Sequence, residues 1–398
     1  MCKRSFLSIL LILCMLLSVF ALAACEKSGE DATTAPETEP ETTVPETTAP
    51  ETTAATTEPP APVPNAYYSF YDNEQYVKLI GRSRFYKSSV VVDWSASGIE
   101  FEYEGSGDLK AEFEKDNENG STHNAVFVVE VDGKKTNLTV DRSDTYRLAS
   151  GLEQGVHHVL IRRRTMVEDG AVGIQVMIKG IRMTGRFLQR PADNKYKVAF
   201  IGDSITCGVG LTNTDGLATY AVDLCTREGF DYDICSVSGI GVSHSTSKHK
   251  GTENTMTKYY PYFNYYRSTT LRYLPDRQAD LVIVNLNTND NNTGATEAAY
   301  KEDLKTLISE IRAAHGNDVP IVWVVGMMIS PSANVNGWLN SVFAELGGES
   351  AGLYKVTVET NTAGGSGHPN QASHLAVSQA LSTYIRAKNL LDLPPVTE

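Results

Sequence analysis

The sequence predicts an α/β protein in which a parallel sheet covered by helices follows an all-β segment of sandwich type. Three observations carry this. From about Ala66 to Gly185, short β-like runs alternate with turn signals and show little helical periodicity. After Arg190-Pro191, buried-type β-runs alternate with amphipathic helical stretches, the pattern of a parallel sheet. The length of 398 residues and a 41% hydrophobic content suffice for two or three domains with cores of their own.

The first element is not globular. Lys3-Arg4, an apolar run from Phe6 to Ala24 and the ending Leu22-Ala23-Ala24-Cys25 predict a signal peptide over residues 1–24. Small residues before Cys25 resemble the signals of bacterial lipoproteins, which implies lipidation of Cys25 and a protein anchored to the outer face of a membrane. No basic stop-transfer patch follows, which argues against a transmembrane anchor. Residues 25–64 cycle through Thr, Pro, Glu and Ala with nine acids against one base after Cys25, a composition expected to act as an extended spacer. The whole chain carries a net charge of −13 with no basic stripe, so nucleic acid is not an expected partner.

Residues 65–188 form the expected β domain, with runs at Ser89–Asp93, Ile99–Tyr103, Ala125–Val131, Val159–Arg162 and Gly173–Ile178. Asp132-Gly133 reads as a hairpin turn and Trp94 as core. Several strands at this spacing point to a jelly-roll sandwich. Residues 189–398 form the expected α/β domain, with β-runs at 197–201, 232–236, 281–286, 320–326 and 353–358. The clearest helix runs from about Thr296 to Ala314 and sets Tyr300, Leu304, Leu307, Ile308 and Ile311 on one face. Of six cysteines only Cys207, Cys225 and Cys235 fall in the folded part; buried free thiols are expected, with a Cys225–Cys235 bridge as the alternative. No Cys/His cluster suggests a metal.

The chemistry gathers at strand ends. Gly202-Asp203-Ser204-Ile205-Thr206 follows the first run of the α/β domain, so a serine hydroxyl is presented where a strand breaks into a turn. The same residues would also serve as a helix N-cap. The second run ends in Ser236–Gly241 and the third in Asn287-Thr288-Asn289-Asp290; carboxyl ends of parallel strands share one sheet edge. Gly367-His368-Pro369 precedes the last helix. Ester hydrolysis needs a nucleophile, a base and oxyanion donors: Ser204, His368, and the amides of Ser204 and Gly239 with the Asn289 side chain fill those roles. Gly239 and Gly241 are not ranked by sequence. His374 is a second, less favoured base, within a helical stretch. Asp203 and Asp290 fit bonding of turn amides, with Asp290 also a candidate substrate contact. Tyr259–Tyr266 and Trp338 could reach the strand tips; Trp338 is the candidate sugar platform, and the tyrosine cluster reads first as a helix packing its apolar side.

Gly-Asp-Ser, a glycine after the next strand, Thr-Asn-Asp and a late His-Pro, in that order, resemble the SGNH hydrolases. Upstream, Gly81-Arg82, Trp94, Val131-Asp132-Gly133, Tyr146–Ala149 and Gly155–His158 resemble the companion domain of carbohydrate esterase family 2. The resemblance spans about residues 75–390. It implies a three-layer α/β hydrolase domain behind a jelly roll, and a cofactor-free serine esterase that removes O-acetyl groups from xylan or related plant polysaccharides. Two residues depart from the pattern. Asn287 replaces the usual glycine before Thr-Asn-Asp, and Gly364–Gly367 offers no aspartate ahead of His368, which implies a Ser-His dyad oriented by a backbone carbonyl, the Ser366 hydroxyl or a distant acid. The alternatives are a polysaccharide-binding module with a residual site, a lipase or thioesterase, or an esterase of O-acetylated peptidoglycan.

Overall fold

Nine antiparallel strands near the N-terminus curl into a single sheet, and five parallel strands follow. The computed structural model describes residues 63–116, 123–169 and 172–395. The expected signal peptide, Cys25 and the spacer up to residue 62 lie outside them. No helix among the described residues is long and apolar enough to cross a membrane.

In the β region the order is Arg84–Tyr86, Ser89–Val91, Gln175–Phe187, Gly98–Asp116, Asp144–Arg163, Ala125–Val131 and Lys134–Val140, with Ala66–Ser69 and Lys78–Ile80 paired to the two long strands Gln175–Phe187 and Gly98–Asp116. Strands Gly98–Asp116 and Asp144–Arg163 far outrun the short runs read from sequence. Their interior glycines are not ends: register shifts at Gly105/Gly107 bend two paired strands without breaking the ladder. Phe101, Tyr103, Phe113, Phe127 and Ile161 fill the core between the bent halves. Asp132 and Gly133 have φ of 52° and 80°, the left-handed pair of a two-residue hairpin, as expected. The Asp132 carboxylate pairs with His157 Nδ1 at 2.7 Å and accepts from the His158 amide at 2.9 Å, so those motif residues brace the hairpin.

The parallel sheet runs Asp231–Ser236, Lys197–Gly202, Leu281–Asn285, Ile321–Met327, Leu353–Thr360. Alternate residues face opposite layers. Val198, Phe200, Ile283 and Val322 pack with helices Tyr220–Glu228 and Gln371–Ala387. Ala199, Ile201, Val282 and Trp323 pack with helices Glu297–His315 and Asn334–Glu345. The predicted face of Tyr300, Leu304, Leu307, Ile308 and Ile311 is buried on that side, each such side chain contributing roughly 1.5–3 kcal/mol. Cys207, Cys225 and Cys235 are buried thiols that form no disulfide, so the alternative Cys225–Cys235 bridge is not made.

The two regions meet through the tyrosine cluster. Only Met256–Tyr259 is helical; the rest is a turn-rich segment, not the continuous helix expected. Tyr259, Tyr260 and Phe263 are buried. The Arg82 guanidinium donates to the carbonyls of Tyr260, Tyr262 and Phe263 at 2.9, 2.7 and 3.2 Å and lies 3.6 Å from the Tyr273 ring centroid. Trp94 Nε1 donates to the Phe263 carbonyl at 2.7 Å. Both upstream motifs thus clamp a segment of the α/β region, and the tyrosines pack there.

Candidate active site

The strand Lys197–Gly202 ends on a close approach. A Cβ on Gly202 would overlap the Thr206 side chain, so no larger residue fits before the turn. Within that turn the Asp203 Oδ1 accepts from the Ile205 amide at 3.0 Å, the Cys207 amide donates to the Asp203 carbonyl at 3.1 Å, and the Val209 amide donates to the Ser204 carbonyl at 3.0 Å. Residues 204–210 form a run of turns rather than a helix, so neither residue is an N-cap, and it is Asp203 that bonds the turn amide. The Ser204 hydroxyl lies 2.8 Å from His368 Nε2. Burial, together with the nearby Asp290 charge, pushes the Asp203 carboxyl up to about 7.

His368 sits half-buried on the loop before the last helix, and its Nδ1 lies 3.1 Å from the Ser366 carbonyl oxygen. A carbonyl only accepts, so Nδ1 carries the proton and Nε2 presents a lone pair to the Ser204 O–H. Among the described residues no carboxylate hydrogen-bonds this ring. The loop is held by its own backbone: the Gly364 amide donates to the His368 carbonyl at 2.7 Å, and the Gly365 amide to the Gly210 carbonyl at 2.9 Å. Gly210, at φ 95°, has room only because it lacks a Cβ, which would stand 2.5 Å from the His368 Cβ. The loop downstream of the serine thus rests directly on the histidine. His374, the second base considered, lies elsewhere: its Nδ1 accepts from the Tyr220 amide at 3.1 Å, satisfying an orphan donor at the start of helix Tyr220–Glu228, and burial lowers its pKa to about 4.

The other strand ends supply donors. Asn289 Nδ2 donates to the Ile240 carbonyl at 2.7 Å and lies 3.5 Å from Asp203 Oδ2, which ties the third strand tip to the second and first. The Gly239 carbonyl accepts from the Thr246 amide at 2.9 Å, while its own amide has no acceptor among the described residues. The Gly241 amide is committed to Ser245 Oγ at 3.0 Å. Of the two glycines, only Gly239 keeps a free N–H.

The two candidate substrate contacts, Asp290 and Trp338, are engaged elsewhere in the structure. Asp290 is buried and its carboxylate accepts from the amides of Val242, Ser243 and His244 at 2.7, 2.8 and 3.0 Å and from the Ser243 hydroxyl, leaving it to shape the loop rather than touch a sugar. Trp338 packs on Tyr300, ring centroids 5.8 Å apart, and lines a shallow groove with Pro331, Ala333 and Asn334 that includes neither Ser204 nor His368. The departure at Asn287 is accommodated. Its φ of 93° is the left-handed conformation that asparagine tolerates better than other side chains, and its amide turns inward to Asn336 Oδ1 at 2.9 Å and Tyr300 OH at 2.6 Å. It neither crowds the crevice nor displaces Asn289.

Gly210 was not singled out from the sequence, and the Ser366 carbonyl was anticipated only as an unspecified backbone carbonyl among three possible partners of His368. The Gly208-Val209-Gly210 spacing was a usable signal for the first; a backbone carbonyl leaves none.

Residues 200–376 match the GDSL-like lipase/acylhydrolase family, and residues 79–191 match the carbohydrate esterase 2 N-terminal domain. The chain carries a GDSL-like domain behind a carbohydrate esterase 2 N-terminal domain. A cellulase/esterase of Acetivibrio thermocellus is 26% identical to this chain over 329 residues, covering 74% of the chain but 37% of that relative, so the chain spans little more than a third of its length. A family two carbohydrate esterase from Clostridium thermocellum, solved in complex with cellohexaose, superposes on this chain with a TM-score of 0.68 at 24% identity, over 79% of this chain and all, 100%, of that one. The family two carbohydrate esterase of Cellvibrio japonicus gives a TM-score of 0.72 at 19% identity, over 82% of this chain and 99% of its own.

Proposed function

We propose that the protein is a serine esterase that removes O-acetyl groups from an acetylated polysaccharide such as xylan, through an acetyl-enzyme intermediate and with Ser204 and His368 as a dyad. The observation that carries this reading is the 2.8 Å contact between Ser204 Oγ and His368 Nε2, with the ring's other nitrogen on a carbonyl. Ser204 Oγ attacks the acetyl carbonyl carbon as His368 Nε2 takes its proton. The oxyanion is received by the Gly239 and Ser204 amides and by the second N–H of Asn289, which gives up its long 3.5 Å contact to Asp203 Oδ2 while the first stays on the Ile240 carbonyl. Collapse breaks the ester bond; the sugar oxygen leaves with the proton from His368. Water then attacks the acetyl carbon, again giving a proton to His368, and acetate departs as Ser204 recovers it.

The Ser366 carbonyl fixes the imidazole tautomer but stabilises the transient imidazolium less than a carboxylate would. Asn289→Ala is expected to cost about 3 kcal/mol of transition-state stabilisation. On this reading the enzyme works outside the cell, tethered by lipid at Cys25, and Cys25→Ser releases it from the membrane fraction.

The deciding assay is acetate release from acetylated xylan and from 4-nitrophenyl acetate by the wild type and by Ser204→Ala. Release that vanishes in the variant supports the reading. Retention on a polysaccharide affinity gel with no acetate released by the wild type would favour a binding module instead.

A further inference from the structure

His249 is a buried imidazole that no step above uses. Its Nε2 lies 2.8 Å from the Ser238 carbonyl oxygen, its ring meets the Tyr259 ring edge-on at 6.3 Å, and its Nδ1 is buried with no hydrogen-bond partner among the described residues. A carbonyl only accepts, so Nε2 carries the proton and Nδ1 is a bare lone pair. Protonating Nδ1 would bury an unsatisfied donor, and burial accordingly lowers this pKa to about 4, so the ring stays neutral where an esterase works.

The carbonyl it holds belongs to the same peptide unit as the Gly239 N–H. A trans peptide is planar with C=O and N–H antiparallel, so fixing Ser238 O fixes the direction of that N–H. The two carbonyls that follow are pinned as well. Gly239 O accepts from the Thr246 amide at 2.9 Å and Ile240 O from Asn289 Nδ2 at 2.7 Å. The His249 amide in turn donates to the Thr246 carbonyl at 2.9 Å, so the imidazole and the Thr246 clamp belong to one braced loop. Of the three clamps, two are backbone or the oxyanion asparagine itself; the first is a dedicated side chain. A hydrogen bond to the carbonyl also polarises the peptide and strengthens its N–H as a donor.

We propose that His249 is a positioning residue of the oxyanion hole: its Nε2–H, on the Ser238 carbonyl, orients and polarises the peptide whose N–H receives the oxyanion. The proposal rests on the reading of Gly239 as an oxyanion donor in an acetyl esterase. It concerns the transition state, so it reaches kcat and not ground-state binding.

The experiment compares wild type, His249→Phe, His249→Gln, His249→Asn and Ser204→Ala on 4-nitrophenyl acetate, with binding of an aryl trifluoromethyl ketone, whose serine adduct carries an oxyanion. Losing a whole oxyanion donor costs about 10²–10³ in kcat, so a misaimed one in His249→Phe is expected to lower kcat roughly tenfold to hundredfold. KM should move less than about twofold, and ketone affinity should fall by the same factor as kcat. Gln, whose side-chain amide can reach the carbonyl, should restore most of the loss; Asn, one methylene shorter, should not. Wild-type kcat and ketone affinity in a folded His249→Phe, or equal kcat for the Gln and Asn variants if the Phe variant does not fold, would overturn the positioning role. Full activity in Ser204→Ala would instead overturn the esterase reading beneath it.

Discussion

Ser204 stands on a turn whose neighbours Asp203, Ile205 and Thr206 are fully buried, whereas His368 rides the loop Gly364–Gly367, of which three residues are exposed and two have positive φ. The serine side is held from several directions at once: by Thr206 filling the space beside Gly202, by the Asp203 side chain on the Ile205 amide, and by Asn289 within reach of Asp203. The histidine side hangs on a few backbone bonds and one abutting glycine. The difference teaches where precision resides in this site. The proposed nucleophile and oxyanion donors are built into the sheet edge, and the proposed base is aimed by a loop that meets it from across the crevice.

Substitutions can break that contrast in order of size. Ser204→Ala removes the proposed nucleophile and is expected to lower kcat for acetate release by at least about 10⁴-fold, read in a steady-state assay. Gly202→Ala and Gly210→Ala should then part company. A methyl on Gly202 meets the packed Thr206 and should cost roughly 1–3 kcal/mol of stability, visible as a lower urea midpoint. A methyl on Gly210 meets the His368 Cβ, so it should lower kcat roughly tenfold to hundredfold with a smaller change in the urea midpoint, because the loop gives way and the ring is misaimed. Equal stability losses with unchanged kcat would erase the contrast.

The smallest effect is expected from acid. His374, next along the chain from the loop, is buried and neutral, with a folded pKa of about 4 against an ordinary 6.5. The unfolded chain binds this proton first on acidification, so the stability it contributes is present above about pH 6.5 and is lost as pH falls toward 4. His249 and His315 share the same sign. His374→Gln should flatten the fall of the melting temperature between pH 6.5 and 4 relative to wild type, with little change in the pH profile of kcat.

The parallel sheet was legible because its strands are continuous apolar runs bounded by polar turns, and each was placed within one or two residues of its end. The order of Ser204, Gly239, Asn289 and His368 was legible for the same reason: residues at carboxyl ends of parallel strands share an edge whatever the connections do. The β region was read only in outline. Glycines at 105, 107 and 155 look like turns in a linear string, yet in the paired strands they are places where the ladder bends. What orients His368 was narrowed only to three possibilities, a backbone carbonyl among them, since the acceptor is the backbone of Ser366 and any residue there carries the same carbonyl. Asp290 was half-read: its fitness for turn amides was visible, but its burial, which bars it from substrate, depends on how the Val242–His244 loop folds over it.

The central claim is that Ser204 and His368 act together without a carboxylate on the ring. Its most direct test is labelling with a fluorophosphonate followed by peptide mass spectrometry on wild type and His368→Ala. A single adduct on Ser204 that forms at least about a hundredfold more slowly without the imidazole is the predicted result. An adduct on any other residue, or labelling of Ser204 at an undiminished rate in His368→Ala, would contradict it.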